Sequence, residues 1–180
     1  MQSSSYGKAV VLVGFMGAGK TSVGQELAKR LGWRFVDLDE QIQQREGRTI
    51  AEIFRDAGEP AFRHLETEAL RALLEQAADL SGVVAALGGG AFTQQENTAL
   101  LKAARYPSVF LDAPVVELRR RCEADGSVRP LFQDENQFRQ LYEVRRNAYM
   151  KADFRVETAG KTVAQVAAEV STLLGWDNRG

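Results

Sequence analysis

Ala9-Val10-Val11-Leu12-Val13 runs directly into Gly14-Phe15-Met16-Gly17-Ala18-Gly19-Lys20-Thr21, and the reading of this stretch decides the fold. Five apolar residues in a row, mostly β-branched, describe a parallel strand buried on both faces. The next eight complete the pattern G-x-x-x-x-G-K-[ST], and Val23, Leu27 and Leu31 follow at helical spacing. Strand, glycine loop and helix start in that order aim backbone N–H groups and the positive end of a helix dipole at one point. A triphosphate fits there, with Lys20 as a mobile cation for its β- and γ-phosphates and the Thr21 hydroxyl as a ligand for Mg²⁺. A glycine-rich turn that carried GKT by chance would lack the flanking strand and helix.

Outward from this loop, short apolar runs alternate with amphipathic segments. Residues 34–38, 82–87, 108–111 and 154–156 read as strands two to five. Residues 60–78 place Phe62, Leu65, Ala69 and Leu73 at helical spacing, and Val163, Val166, Ala167, Val170 and Leu174 repeat the pattern. Such alternation implies an α/β fold with right-handed crossovers, a mostly parallel sheet and helices on both faces. Ligands of these sheets bind beyond the carboxyl ends of the strands.

The 180 residues suit one domain, expected over residues 8–180 after a polar, disordered tail of residues 1–7. Lys and Arg number 23 against 24 Asp and Glu, so no basic field points to nucleic acid. No apolar run reaches the roughly 18 residues of a membrane span, and residues 1–7 lack the apolar core of a signal peptide. Cys122 is the single cysteine, which excludes an intrachain disulfide and a cysteine-cluster metal site. A reducing, cytoplasmic setting is the expectation.

The remaining strand ends carry candidate chemistry. Asp37-Leu38-Asp39 closes strand two, and residues two apart in an extended segment share a face. One carboxylate then suits the water shell of Mg²⁺ and the other an acceptor hydroxyl; the alternative is that both merely cap a helix starting near Glu40. Strand three ends in Leu87-Gly88-Gly89-Gly90-Ala91, where three glycines would let main-chain N–H groups approach a ligand. On the helix after Pro60, Arg63 and Glu66 are three apart and can touch, as a site pair or as a solvated ion pair.

On a helix over residues 136–150 the apolar stripe is Phe138, Leu141, Tyr142, Ala148 and Tyr149. Arg145 falls near the middle of that stripe and Arg146 toward its edge. An inward guanidinium needs a charged partner or a bound anion, and its fork suits a carboxylate; the alternative is an arginine that snorkels or pairs with a structural acid. Residues 123–133 read as a mobile lid, in which Arg129, stiffened by Pro130, can swing over the phosphates. The preceding Arg119-Arg120-Arg121 reads as a solvated helix face from which one member can touch the nucleotide. His64, Trp33 and Trp176 read as ordinary flank and packing residues, and Cys122 as packed at the base of the lid.

Together these segments resemble shikimate kinase, a small P-loop kinase of the nucleoside-monophosphate-kinase type. The resemblance spans roughly residues 8–174, on GFMGAGKT (14–21), FVDLD (35–39), GEPAFRHLE (58–66), LGGGAFT (87–93), VRPLF (128–132) and RRNAY (145–149). It implies a five-stranded parallel sheet in the order 2-3-1-4-5, a P-loop NTPase fold with a lid, and a monomer. It implies transfer of the ATP γ-phosphate to the 3-hydroxyl of shikimate, in the chorismate route to aromatic amino acids. Carried over by position, Asp39, Arg63, Gly89 and Arg145 bind shikimate. Gly17, Ala18, Gly19, Lys20, Thr21 and Ser22 form the nucleotide loop, with Thr21 a ligand of Mg²⁺ and Asp37 reaching it through water. Lys20, Asp39 and Arg129 carry the chemistry. Arg146 stays an alternative to Arg145, because Asn147 and Ala148 replace the family's frequent proline. Lys161 is the counterpart on the adenine side, where an arginine is frequent. Rival readings are a kinase of gluconate or a nucleotide, a GTP-binding switch, which would need an Asn-Lys-x-Asp segment that this chain lacks, and a silent nucleotide-binding partner.

Overall fold

Strand β1 (Ala9–Val13) is buried along its whole length because strands pair with it on both edges. The structure, a computed structural model, describes residues 6–78, 81–126 and 134–176. Its other strands are β2 (Arg34–Asp37), β3 (Val83–Ala86), β4 (Ser108–Asp112) and β5 (Phe154–Glu157). All pair in parallel in the order β2-β3-β1-β4-β5, the order implied by the resemblance. Val11 faces Ala85 on one side and Ser108 on the other, so the P-loop leaves the sheet at its centre.

The helices are α1 (Lys20–Leu31), α2 (Leu38–Glu46), α3 (Ile50–Ala77), α4 (Gln95–Ala104), α5 (Val115–Ala124), α6 (Glu135–Tyr149) and α7 (Val163–Leu173). The β1-to-β2 connection steps one way across β3, and the later ones step the other way. Right-handed crossovers therefore put α1 on one face and the later connecting helices on the opposite one. The terminal α7 returns to pack against α1, beside a Trp33–Trp176 ring contact with centroids 4.6 Å apart. Val10, Leu12, Val84 and Phe110 form the sheet's share of one continuous apolar core.

Two boundaries differ from the sequence reading. The helix expected from residue 60 starts at Ile50, because Thr49 and Glu52 close a reciprocal capping box that nucleates an additional segment. That segment breaks at Gly58, φ 81°, and resumes at Pro60, whose missing N–H costs little at a helix start. Phe54 and Phe62 close over the break with ring centroids 4.7 Å apart. At the other end of the chain, Tyr6 lies within the stretch read as a tail, yet its ring meets Phe154 edge-on at 5.9 Å. Residues 1–5 lie outside the described ones. Among the described residues no helix is long and apolar enough to cross a membrane.

Candidate active site

The P-loop begins where β1 ends, and its shape depends on glycine. Gly17 and Gly19 take φ of 79° and 90°, and Gly19 leads directly into α1 at Lys20. A side chain at Gly17 would strike the Leu118 carbonyl and the Cys122 sulfur, so α5 supports the loop from below. Cys122 thus packs under the P-loop rather than only at the base of a lid. Lys20 curls back to donate to the carbonyls of Gly14 at 2.8 Å and Phe15 at 3.1 Å. Burial lowers the Lys20 pKa to about 8, against the pull of Asp39 and Asp37. The ammonium is held without full hydration, and an arriving polyanion relieves that deficit.

Asp37 and Asp39 reach the site by a route different from the one expected. β2 stops at Asp37, and Leu38 already belongs to α2. Strand alternation therefore does not align the two acids. Asp37 is the N-cap: its Oδ1 accepts from the Asp39 N–H at 3.0 Å and the Glu40 N–H at 3.3 Å. Its Oδ2 accepts from the Thr21 hydroxyl at 3.1 Å. Capping and site chemistry, posed as alternatives, coincide in one carboxylate. The Thr21 hydroxyl and Asp37 carboxylate are hard oxygen donors at the mouth of the P-loop, a set that fits Mg²⁺ sharing its sphere with phosphates and water.

A cavity of about 320 Å³ joins this region to the end of β3. Gly17, Lys20, Thr21, Asp37, Asp39, Arg63, Gly89 and Arg145 all line it. The three glycines serve the cavity by what they omit. A side chain at Gly88 would collide with Asp39 and Glu66, at Gly89 with the Arg145 guanidinium, and at Gly90 with that of Arg63. Each glycine makes room for a charged tip, where the sequence suggested approach of backbone N–H groups to a ligand.

The two arginines are held differently. Arg63 donates to Glu66 at 2.5 Å and to the more exposed Glu59 at 3.1 Å. Glu66 is 1% exposed and also accepts from Gln94 at 3.1 Å. Burial raises its pKa, and the Arg63 charge opposes that rise. Arg145 rides on α6, whose Phe138 and Tyr142 rings meet Phe15 edge-on at 5.2 and 5.6 Å. Its guanidinium lies 5.9 Å from the Phe15 ring centre and forms no ion pair among the described residues. Arg146 turns away and donates to Asp112 at 2.8 Å, a carboxylate that also accepts from Arg155 at 2.9 Å. Tyr149, buried below, donates to the Gly89 carbonyl and joins α6 to the glycine turn.

Other expected residues lie apart from the cavity. Ala18 and Gly19 are within the P-loop, and Ser22 is exposed on the first turn of α1. Lys161 pairs with Glu169 at 2.6 Å in the turn after β5. Arg129, and residues 127–133 of the expected lid, lie outside the described residues. His64 is exposed and sits 3.4 Å from Glu68.

Two features escaped the sequence reading. Ile50 and Phe54 wall the cavity from the first segment of α3, and the capping box Thr49-Ile50-Ala51-Glu52 was the legible signal. Arg121 is the inward member of its arginine run. It donates to the carbonyl of Gly17 at 3.2 Å and the hydroxyl of Thr158 at 3.1 Å, tying the P-loop to the turn after β5. Its position three residues after buried Leu118 places it on the inner face of α5.

Comparison with known proteins gives one consistent answer. The family model described as shikimate kinase matches residues 16–174. The shikimate kinase of Geobacter sulfurreducens is 45% identical over 177 residues, covering 97% of this chain and 94% of that protein. That of Persephonella marina is 37% identical over 161 residues, 89% of this chain and 95% of the relative. The structure of Acinetobacter baumannii shikimate kinase in complex with shikimate superposes with a TM-score of 0.83 at 36% identity, over 97% of this chain and 96% of the other. A Sinorhizobium meliloti gluconokinase, 21% identical with a TM-score of 0.60 over 94% and 91% of the two chains, shares the fold alone.

Proposed function

The chain belongs to the shikimate kinase family, and we propose how its cavity divides the work of that reaction. It is an ATP-dependent kinase that converts shikimate to shikimate 3-phosphate with release of ADP, in aromatic amino-acid biosynthesis. The phosphates of ATP lie along the P-loop at the start of α1, with Lys20 against the β- and γ-groups. Arg63 and Arg145 grip the shikimate carboxylate, and Asp39 orients the 3-hydroxyl and accepts its proton as the phosphoryl group arrives. Thr21, and Asp37 through water, would hold Mg²⁺, which would supply neutralisation of the phosphate charge. Transition states of phosphoryl transfer are loose, so placement and electrostatics outweigh base strength. Ile50, Phe54 and Phe62 exclude water from the acceptor side of the cavity.

The observation that carries this assignment is the Arg145 guanidinium. It faces the cavity with no ion pair among the described residues, across from Lys20 and Asp39. A cation in that position calls for an anion, and a carboxylate matches its fork. The test is a coupled ADP-release assay with MgATP, with and without shikimate. Strong shikimate dependence, with product phosphorylated at the 3-hydroxyl, supports the assignment. ADP release that shikimate does not raise, or that gluconate raises more, sinks it.

A further inference from the structure

A second cavity, about 310 Å³, opens between α4, the start of β4 and the turn joining α6 to β5, and it shares no lining residue with the active site. Its walls are ring-rich, with Tyr6, Phe92 and Tyr106 beside Leu101. Its rim carries three cations, Lys102, Arg105 and Lys151, and none of them forms an ion pair among the described residues. The one lining carboxylate, Asp153, is already engaged: it accepts from the Ser108 N–H at 2.8 Å and the Ser108 hydroxyl at 2.7 Å. Three cations against this one carboxylate leave the cavity with net positive charge over an apolar body.

Arg105 adds a backbone observation. It closes α4 in the left-handed conformation, φ 56°, and no other non-glycine residue among the described ones has a positive φ. Glycine is the usual residue at such a helix end, and a side chain there costs about 1–2 kcal/mol. Non-glycine residues strained in this way cluster at functional sites. Here the side chain is a guanidinium at the rim of the cavity.

We propose that this cavity binds an aromatic carboxylate, with the ring between Phe92 and the tyrosines and the carboxylate on Arg105, and that occupancy is felt in the active site. The volume lies at the small end of ligand pockets, roughly 300–1,000 Å³, and suits a single ring with a short acidic arm. Two short connections run from its walls to the shikimate-binding arginines. Phe92 is two residues beyond Gly90, which makes room for Arg63. Lys151 is two residues beyond Tyr149, which donates to the Gly89 carbonyl. The Lys151 and Ala152 N–H groups bond back to the Ala148 and Tyr149 carbonyls at 3.0 Å, so a shift of this turn moves the end of α6.

The test is calorimetry of the full chain with phenylpyruvate as probe. Benzyl alcohol supplies the ring without the charge, and acetate the charge without the ring. Arg105→Gly removes the guanidinium at a position whose backbone favours glycine, so loss of binding in it does not reflect unfolding. The expected result is phenylpyruvate binding with Kd at or below about 1 mM, at least about tenfold weaker in Arg105→Gly, and weaker still for either control. Saturating phenylpyruvate should also shift the KM for shikimate at least about twofold in the parent and not in Arg105→Gly. Absence of binding, equal binding by Arg105→Gly, a shikimate KM that rises without limit as phenylpyruvate increases, as for two ligands of one site, or an unmoved KM each overturns the proposal.

Discussion

Arg63 donates to Glu66 at 2.5 Å, and the accepting carboxylate is buried under the glycine turn that leads out of β3. The pair fixes one of the two cavity arginines, and burial raises the Glu66 pKa against the opposing pull of Arg63. A carboxyl raised above its unfolded value of 4.5 contributes stability that is fully present below that value and is lost as pH rises through the folded pKa. Glu66→Gln carries no such dependence. The melting temperature of the parent relative to Glu66→Gln should therefore be more favourable at pH 4 than at pH 7; a pH-independent difference would show that the burial cost is absent.

Arg145 and Arg146 are neighbours with opposite commitments. Arg145→Ala should raise the KM for shikimate by roughly 10–100-fold, the worth of a charge-assisted hydrogen bond at about 1.5–3 kcal/mol. Arg146→Ala should leave that KM within about threefold and lower the melting temperature, because it strips one partner from the buried Asp112. Steady-state kinetics and thermal melts on both variants decide, and reversed effects would transfer the binding role to Arg146.

Gly90 has ordinary backbone angles, φ −97° and ψ −12°, so alanine strains nothing locally. Its methyl group would occupy the space of the Arg63 guanidinium, the movable end of a long side chain. Gly90→Ala should thus fold, with a shikimate KM raised about tenfold and ATP affinity unchanged. An unaltered KM would mean that the Arg63 position is not what the glycine protects.

Lys20 is charged at a cost, with its pKa lowered to about 8 by burial. A triphosphate restores the charge, so ATP binding near pH 8 should take up about half a proton, read from the buffer dependence of the binding enthalpy. Lys20→Met should abolish this uptake and most turnover. It should also raise the melting temperature of the free enzyme below pH 8, where the parent bears the full cost, with the advantage fading as pH rises toward 10.5. Uptake that survives in Lys20→Met would assign the proton elsewhere.

Asp39 faces the cavity from the first turn of α2. Asp39→Asn keeps the shape and should lower kcat by about 10²–10⁴-fold with little change in ATP affinity. Near-parental turnover would remove this carboxylate from the proton transfer.

Local pattern was enough for the architecture. An unbroken apolar β1, a P-loop and a helical repeat on α1 specify a central parallel strand without reference to anything distant. The stripe on α6 likewise put Arg145 inward, because helical periodicity is a property of one segment. What the sequence left open were meetings between segments. Arg146 finds Asp112 across 34 residues, and Arg121 finds Gly17 across 104, and no periodicity records either. The space that Gly88, Gly89 and Gly90 leave for Asp39, Arg145 and Arg63 exists only once β3, α2, α3 and α6 converge. Burial periodicity is written along each element, whereas charge pairing and steric room depend on how elements cross, and the tertiary structure alone decides that.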